Sequence, residues 1–130
     1  MKILTIKTDQ PEAYLAIWNN RQLLLENKWL ADKQLSDDIH RQILSLLKDA
    51  GTSFEGLNGL IFFQGPGSFT GLRISASVFN ALAYSLDIPI VGCSGEKWQE
   101  KGIDKLLNGA NDKIAVPIYG GKINITKPKK

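Results

Sequence analysis

A glycine-rich turn between a short apolar run and a long apolar helix pattern constrains this sequence most. The apolar run covers residues 60–63, and the turn lies within the segment GPGSFTGLRI, residues 65–74. A helical pattern then extends from about Ser68 to Leu86. A strand, a glycine turn and a helix in this order place free backbone N–H groups at the start of the helix. An α/β unit built around this turn is therefore expected.

The helix after the turn is apolar over a wider arc than one sheet face can cover. At about 100° per residue, one apolar group shares a face and a second group continues around the helix. Arg73, Ser77, Asn80 and Tyr84 form a narrow polar strip. Such a helix is expected to have a second packing partner. The first group is Leu72, Ala76, Phe79, Ala83 and Leu86, and the second is Ile74, Val78, Ala81 and Leu82.

A second broad apolar arc is predicted in a helix between residues 36 and 50. Ser36 is expected to cap its start, and Gly51 suits the position after its end. Leu44 widens the arc, and His40 lies inside it. Because no second histidine exists to join His40, we interpret it as packing or contact surface. The positions at helical spacing are Leu35, Ile39, Ile43, Leu46, Leu47 and Ala50.

The remaining pattern predicts strands. Leu23, Leu25 and Trp29 are expected to share one face of the third strand. One or two short helices are predicted over residues 96–107, and a last hairpin turns at Gly120-Gly121. The five main strands are predicted at residues 2–7, 13–18, 21–29, 57–63 and 90–93, and the hairpin strands at residues 113–118 and 122–126.

This order of elements predicts an α/β fold of the ribonuclease-H-like kind, as in an actin/Hsp70-type ATPase lobe. Three antiparallel strands and a helix precede a strand–helix–strand unit, which implies a parallel, right-handed crossover. We therefore expect a mixed five-stranded sheet with helices on both faces. Residues 1–126 are predicted to form this single domain, and residues 127–130 a basic tail.

Composition excludes several classes of protein. The chain has 130 residues, a net charge of +3 and a single cysteine, Cys93. One cysteine excludes an internal disulfide and favours a cytoplasmic location, and no apolar run is long enough to span a membrane. Residues 97–130 hold eight lysines against three acidic residues. We interpret this excess as a solvated surface and not as a nucleic-acid site.

The turn fails the tests for several catalytic motifs. A Walker A loop needs lysine where Leu72 stands, and a dinucleotide fingerprint needs glycine where Thr70 stands. Ser68 lacks the flanking glycines of a nucleophile elbow and is expected to cap the helix. No catalytic residue, metal site or cofactor is predicted, and a structural turn is favoured. The alternative is an anion site formed by Gly65, Gly67, Ser68, Thr70 and Gly71.

The segment at residues 65–74 resembles the signature of the bacterial TsaB (YeaZ) family. The opening strand, the strand at residues 14–18 and the segment at residues 90–94 are also similar to that family. The resemblance implies a non-catalytic scaffold and dimerisation subunit in the complex that transfers threonylcarbamoyl to N6 of adenosine 37 in tRNA. Its implied partners are a TsaD-like catalytic subunit and a TsaE-like ATPase, with tRNA reached indirectly.

The resemblance also implies where partners bind. The first two helices of the family pack against the matching helices of TsaD, or of a second TsaB in homodimers. We expect the same interface here, with no active site of its own. The alternative function is a small nucleotide- or anion-binding enzyme lobe that uses the glycine turn. The predicted interface residues are Ile39, His40, Ile43, Leu47, Arg73, Ile74, Ser77, Val78 and Ala81.

The sequence departs from the family's pattern in three places that matter. Leu35 stands, before the first helix, where many members have histidine. Lys7 stands where members usually have an aspartate, which weakens the nucleotide-binding alternative. Members usually continue into a second lobe of similar fold, whereas this sequence stops soon after Gly121. We therefore expect a single lobe here, with the second lobe absent or vestigial, in either a naturally minimal form or a shortened product.

Overall fold

The structure is a computed structural model that describes residues 1–31, 34–67 and 69–118. Within these residues, five strands and three α-helices follow one another in the order β1, β2, β3, α1, β4, α2, β5 and α3, with a short 3-10 helix before β4. The bounds are β1 Lys2–Lys7, β2 Glu12–Asn19, β3 Gln22–Leu30, α1 Leu35–Asp49, the 3-10 helix Phe54–Gly56, β4 Gly59–Phe63, α2 Phe69–Leu86, β5 Ile90–Cys93 and α3 Trp98–Leu107.

The strands form one mixed sheet in the order β3-β2-β1-β4-β5. β1 pairs antiparallel with β2, and β2 pairs antiparallel with β3. β1 and β4 are parallel, as are β4 and β5, so α1 and α2 lie in crossover connections. Parallel neighbours need such crossovers because a tight turn cannot join them. The mixed five-stranded sheet predicted from the element order is confirmed.

Helices cover both faces of the sheet. Directly after β1, the hydroxyl of Thr8 lies 2.8 Å from the carbonyl oxygen of Gly71 in α2. The hydroxyl of Thr5 points the opposite way and donates to Oε1 of Gln99 in α3 at 2.7 Å. Successive side chains of a strand alternate between faces, so α2 and α3 lie on opposite sides. Gly102 lets α3 approach the sheet, since a Cβ there would lie 2.6 Å from Cγ2 of Ile61.

The core follows the predicted face of α2. Leu72, Ala76, Phe79 and Ala83 are all buried against the sheet. On α1, the buried apolar side chains are those of Leu35, Ile39, Ile43, Leu46 and Leu47. The sheet contributes fully buried side chains from every parallel strand, among them Leu4, Ile6, Leu60, Phe62, Ile90 and Val91.

Two local predictions are wrong. Leu23 does not share a face with Leu25 and Trp29, because a bulge in β3 pairs Leu25 with Ile17 but Leu23 with Trp18. One extra residue in β3 places the side chains before and after it on opposite faces of the sheet. Leu23 is accordingly 38% exposed. Ser36 is not the helix cap, because α1 begins at Leu35 and the N-cap position is Gln34.

The segment at residues 113–118 is not a strand, so the predicted hairpin is not formed by its first half. The Asn80 side chain holds it by accepting from the Ala115 N–H at 2.6 Å and donating to the Ala115 carbonyl at 3.0 Å. Gln64 bonds the other side, where its carbonyl accepts from the Ile118 N–H at 2.7 Å. The second half of the predicted hairpin, residues 122–126, and the predicted tail, residues 127–130, lie outside the described residues.

The outer edge of β5 is closed by side chains from the following segment. Asn111 Oδ1 accepts from the Ile90 N–H at 3.2 Å, and the Asp112 N–H donates to the Ile90 carbonyl at 2.8 Å. Asp112 Oδ2 accepts from the Gly92 N–H at 2.8 Å, and Lys105 Nζ donates to the Gly92 carbonyl at 3.1 Å. These contacts satisfy the backbone groups that would otherwise form an unpaired edge.

Candidate protein-interaction surface

The glycine turn is packed tightly against two neighbouring segments. A Cβ at Gly67 would overlap Cβ of Asp9 and lie 3.1 Å from the Asp9 carbonyl oxygen. Gly65 has φ +102°, and a Cβ there would lie 2.6 Å from the Ile118 carbonyl oxygen and 2.8 Å from Cδ1 of Leu72. A positive φ and these contacts both require glycine. The glycines of the motif therefore serve close packing of the backbone.

The end of β1 is tied to the first turns of α2. The Thr8 hydroxyl oxygen lies 2.7 Å from Oγ of Ser75, and both residues are buried. In the residue before Thr8, Lys7 Nζ lies 2.6 Å from Oδ1 of Asp9 and 4.7 Å from the centre of the Phe63 ring. Lys7 thus engages the carboxylate of this loop.

A cavity of about 150 Å³ lies beside the turn. The described residues that line it include the hydroxyls of Thr8 and Thr70 but no lysine or arginine. Helix N-termini bind anions through backbone N–H groups, usually with a cation in support. The packing of Gly67 and this lining favour the structural turn over the anion site. Ser68, a member of the predicted anion site, lies outside the described residues.

An open groove runs between α1 and α2, and we call it the α1–α2 groove. Its volume is about 470 Å³. Ile74 and Val78 are its half-buried apolar side chains, and its other side chains are exposed and polar. The lining residues are Ser36, His40, Thr70, Arg73, Ile74, Ser77 and Val78.

Five of the nine predicted interface residues therefore line one surface: His40, Arg73, Ile74, Ser77 and Val78. Ala81 is exposed further along α2. Sequence reasoning did not include Ser36 and Thr70 in the interface. Helical spacing could have found both, because Ser36 lies four residues before His40 and Thr70 four residues before Ile74.

The other three predicted interface residues lie in the core. Ile39 and Ile43 are 0% exposed, and Leu47 is 2% exposed. They pack in the main hydrophobic cluster with the sheet and α2. In this domain they support the groove from beneath and do not present side chains to a partner.

The opposite face of the sheet carries a polar network that positions α3. Gln99 Oε1 accepts from Nε1 of Trp18 at 2.8 Å, and Gln99 Nε2 donates to the Tyr14 hydroxyl at 3.1 Å. That hydroxyl donates to Glu26 Oε1 at 2.7 Å. Burial, together with Glu26, raises the pKa of Tyr14 above its ordinary value. Tyr14 is therefore a neutral hydrogen-bond donor near neutral pH.

Two features are absent from the part of the chain that the structure describes. No three histidine, cysteine, aspartate or glutamate side chains converge there as a metal site would require. None of the helices described there has the length and apolar character needed to cross a bilayer.

Comparison with known proteins links this fold to one family. A family model described as TsaD, tRNA N6-adenosine threonylcarbamoyltransferase, matches residues 29–96, a little over half of the chain. The tRNA threonylcarbamoyladenosine biosynthesis protein TsaB of Escherichia coli is 29% identical over 113 residues, which cover 82% of this chain and 48% of that protein. The TsaB of Buchnera aphidicola from Schizaphis graminum is 31% identical over 126 residues, which cover 91% of this chain and 59% of that protein.

The fold comparison agrees with these matches. YeaZ from Pseudomonas aeruginosa superposes with a TM-score of 0.67 at 25% identity, covering 72% of this chain and 43% of YeaZ. The likeness confirms the predicted ribonuclease-H-like lobe. This chain spans about half the length of the curated relatives named above. By the family match, the relatives and the shared fold, the chain belongs to the family that the TsaD model describes, and within it to the TsaB (YeaZ) group.

Proposed function

We propose that this protein is a non-catalytic scaffold subunit in tRNA threonylcarbamoyladenosine biosynthesis. It binds a TsaD-like catalytic subunit through the α1–α2 groove and the exposed side of α2, as a heterodimer. The names of the TsaB relatives support the pathway. The match to the TsaD model supports a partner of related fold.

The observation that carries the proposal is the second apolar side of α2. Leu72, Ala76 and Phe79 face the sheet, while Ile74 and Val78 stay half-buried at the groove. Half-buried aliphatic side chains at the centre of a concave surface are typical of protein contacts. Burying such a side chain fully contributes about 1.5–3 kcal/mol relative to leaving it exposed.

The non-catalytic role is supported by the packing of the glycine turn. Gly67 lies against Asp9, and Lys7 engages the Asp9 carboxylate, so the motif residues are used within the fold. In this proposal the TsaD-like subunit performs the chemistry and contacts the tRNA. A TsaE-like ATPase joins the same complex, and a homodimer through the same helices is the form without the catalytic subunit.

A binding measurement with Val78→Asp tests the proposal. A carboxylate at the groove floor would be desolvated by the partner, so affinity for the TsaD-like subunit of the same genome should fall by at least about 30-fold, which is about 2 kcal/mol. Isothermal titration calorimetry on the full chain measures the affinity. Circular dichroism checks that the variant is folded.

Leu107→Asp is the matched control, because Leu107 is an exposed leucine at the end of α3, on the other side of the sheet. Its affinity for the partner should equal that of the unchanged chain. No binding by the unchanged chain, or equal binding by folded Val78→Asp, would contradict the proposal. Mass measurement with and without the partner separates the heterodimer from the homodimer.

A further inference from the structure

We infer that the outer edge of β3 pairs with the same edge of a second copy of this chain, antiparallel and with Asn27 at the two-fold axis. The sheet then continues from one copy into the other. This contact is distinct from one through the helices, because none of the described lining residues of the α1–α2 groove belongs to β3. The inference is independent of the proposed function.

The outer edge of β3 presents an ordered row of backbone groups. β3 and β5 are the edge strands of the sheet, and side chains close the outer side of β5. At the end of β3, the Ala31 N–H donates inward to the Pro11 carbonyl at 3.0 Å. Because backbone groups alternate in direction along an antiparallel strand, those of Glu26, Lys28 and Leu30 point outward. Such a row is a template for another strand.

The side chains of this edge are complementary to themselves at one register. With Asn27 opposite Asn27 of the second copy, Glu26 lies opposite Lys28 and Lys28 lies opposite Glu26. Both side chains are exposed and share one face of the sheet, because their partners on β2 are Ala16 and Tyr14. Opposite charges on facing residues stabilise a strand pair. The two-fold symmetry of the contact therefore forms two such pairs.

Charge also excludes the neighbouring registers. A shift by one residue places outward backbone groups opposite inward ones, so only shifts by two residues keep the hydrogen bonds. A shift by two residues places Glu26 opposite Glu26 in one direction and Lys28 opposite Lys28 in the other. Like charges in these positions destabilise a strand pair. This match of the edge to its own reversed sequence identifies the occupant as a second copy.

The other face of β3 supports the same register. Asn27 donates to Gln42 of α1, so Leu25 and Trp29, two residues to either side, also face α1. Both apolar side chains are half-buried, and Leu25 of each copy lies opposite Trp29 of the other. An open groove of about 210 Å³ between this part of β3 and α1 leaves room beside Leu25 for the incoming ring.

Exchanging the charges tests the pairing in solution. The unchanged full chain should dimerise in sedimentation equilibrium, and Glu26→Lys alone should weaken dimerisation at least about 10-fold, because two repulsive pairs replace two attractive ones. The double variant Glu26→Lys/Lys28→Glu should return to within about threefold of the unchanged chain. Glu55→Lys, the same change at an exposed residue of the 3-10 helix, is the control and should have no effect.

The double variant also controls for a contact within the chain. Glu26 accepts a hydrogen bond from the Tyr14 hydroxyl, and both variants lose this bond, so recovery in the double variant cannot come from it. Circular dichroism checks that each variant is folded. In native mass spectrometry, a mixture of the Glu26→Lys and Lys28→Glu chains should form mixed dimers in preference to either self-dimer.

A cysteine at the axis tests the register. In Asn27→Cys, the two introduced thiols face each other in a non-hydrogen-bonded pair with Cα atoms about 4.5 Å apart, a spacing that a disulfide can bridge. Copper phenanthroline should link this chain into a covalent dimer at least about 10-fold faster than Gln22→Cys, whose thiols would lie about 30 Å apart. Cys93 is buried and common to both chains.

The outcomes decide between this contact and the alternatives. A chain that stays monomeric up to about 1 mM refutes the inference and leaves the edge of β3 as a solvated surface. If the copies dimerise, but folded Glu26→Lys dimerises equally well or the double variant does not recover, they meet elsewhere and the inference is again refuted. Equal cross-linking of Asn27→Cys and Gln22→Cys refutes the register. Binding of the TsaD-like subunit is measured separately, so the proposed function can fail or stand by itself.

Discussion

Two regions next to helix α2 differ in packing: the glycine turn before it is closely packed, whereas the α1–α2 groove beside it is open. At the turn, Gly65 and Gly67 lack side chains because neighbouring backbone occupies that space. In the groove, Ser36 and Ser77 have short side chains, and the space beside them is empty. Small residues therefore allow close backbone packing at the turn, whereas in the groove they leave an open surface between the two helices.

The comparison shows that the glycines of the motif and the side chains of the groove have different roles, although the motif contributes residues to both. GPGSFTGLRI identifies the family, but its glycines hold the Asp9 loop and residues 113–118 against α2. The groove is lined from the first turns of α2, from the next turn of that helix and from α1, by Thr70, Arg73, Ile74, Ser77, Val78, Ser36 and His40. Four predictions test this division, beginning with the largest effect.

Gly67→Val should destabilise the domain by about 3 kcal/mol or more, because the new Cβ overlaps Asp9 and overpacked sites cannot relax freely. Urea unfolding followed by circular dichroism measures the loss. Gly67→Ala should cost less, and adding Asp9→Gly to it should recover part of the loss by removing the opposing Cβ. A Gly67→Val chain as stable as the unchanged one would show that the turn is open.

Asn80→Ala should destabilise the domain by about 1–3 kcal/mol, because Ala115 loses both of its side-chain partners. Hydrogen exchange should speed up at Ala115 and Ile118 without a similar change in β1. Ser85→Ala, an exposed serine of the same helix, is expected to stay within about 0.5 kcal/mol of the unchanged chain. Equal stability of Asn80→Ala would mean that residues 113–118 are not held by α2.

The alkylation rate of the buried thiol of Cys93 tests whether the close packing at the glycine turn is retained. Burial raises the pKa of its thiol, and the charge of Asp112 adds to the rise while Lys105 opposes it. A raised pKa leaves less thiolate at pH 8, so alkylation by iodoacetamide should be slower in the folded chain than in guanidinium, and should increase with pH. Rapid alkylation of the folded chain at pH 8 would contradict this, and Gly67→Val should increase the rate.

His40→Ala should change stability least, by less than about 0.5 kcal/mol, because His40 is exposed at the groove. Its effect should be on partner affinity instead, measured by calorimetry. Ile39→Ala, one residue earlier and fully buried, should cost about 2–5 kcal/mol. A large loss of stability in His40→Ala would place this residue in the core and remove it from the contact surface.

Sequence periodicity predicted the elements whose surroundings are simple. The apolar run at residues 60–63 became β4, fully buried because helices cover both faces. The helix after the turn ends at Leu86 as predicted. One side of its broad apolar arc, with Leu72 and Phe79, is buried against the sheet, whereas Ile74 and Val78 are only half-buried; the second packing partner expected for them stays a prediction.

The features that sequence periodicity could not predict depend on contacts with neighbouring helices and strands. The width of the arc on α1 does not say which part faces the sheet, so Ile39 and Ile43 were placed at an interface although both are buried. The bulge that moves Leu23 depends on its pairing with β2. Residues 113–118 alternate as a strand does, but in the structure side chains of Asn80 and Gln64 replace a partner strand.

The side-chain closure of β5 restricts how copies of this domain could aggregate. Asn111, Asp112 and Lys105 occupy the outward groups of Ile90 and Gly92, so an incoming chain would have to displace three side chains before it could extend the sheet there. Fibril growth by strand stacking from β5 therefore has an energetic barrier built into the monomer. The domain can thus be kept concentrated without its β5 edge acting as a template.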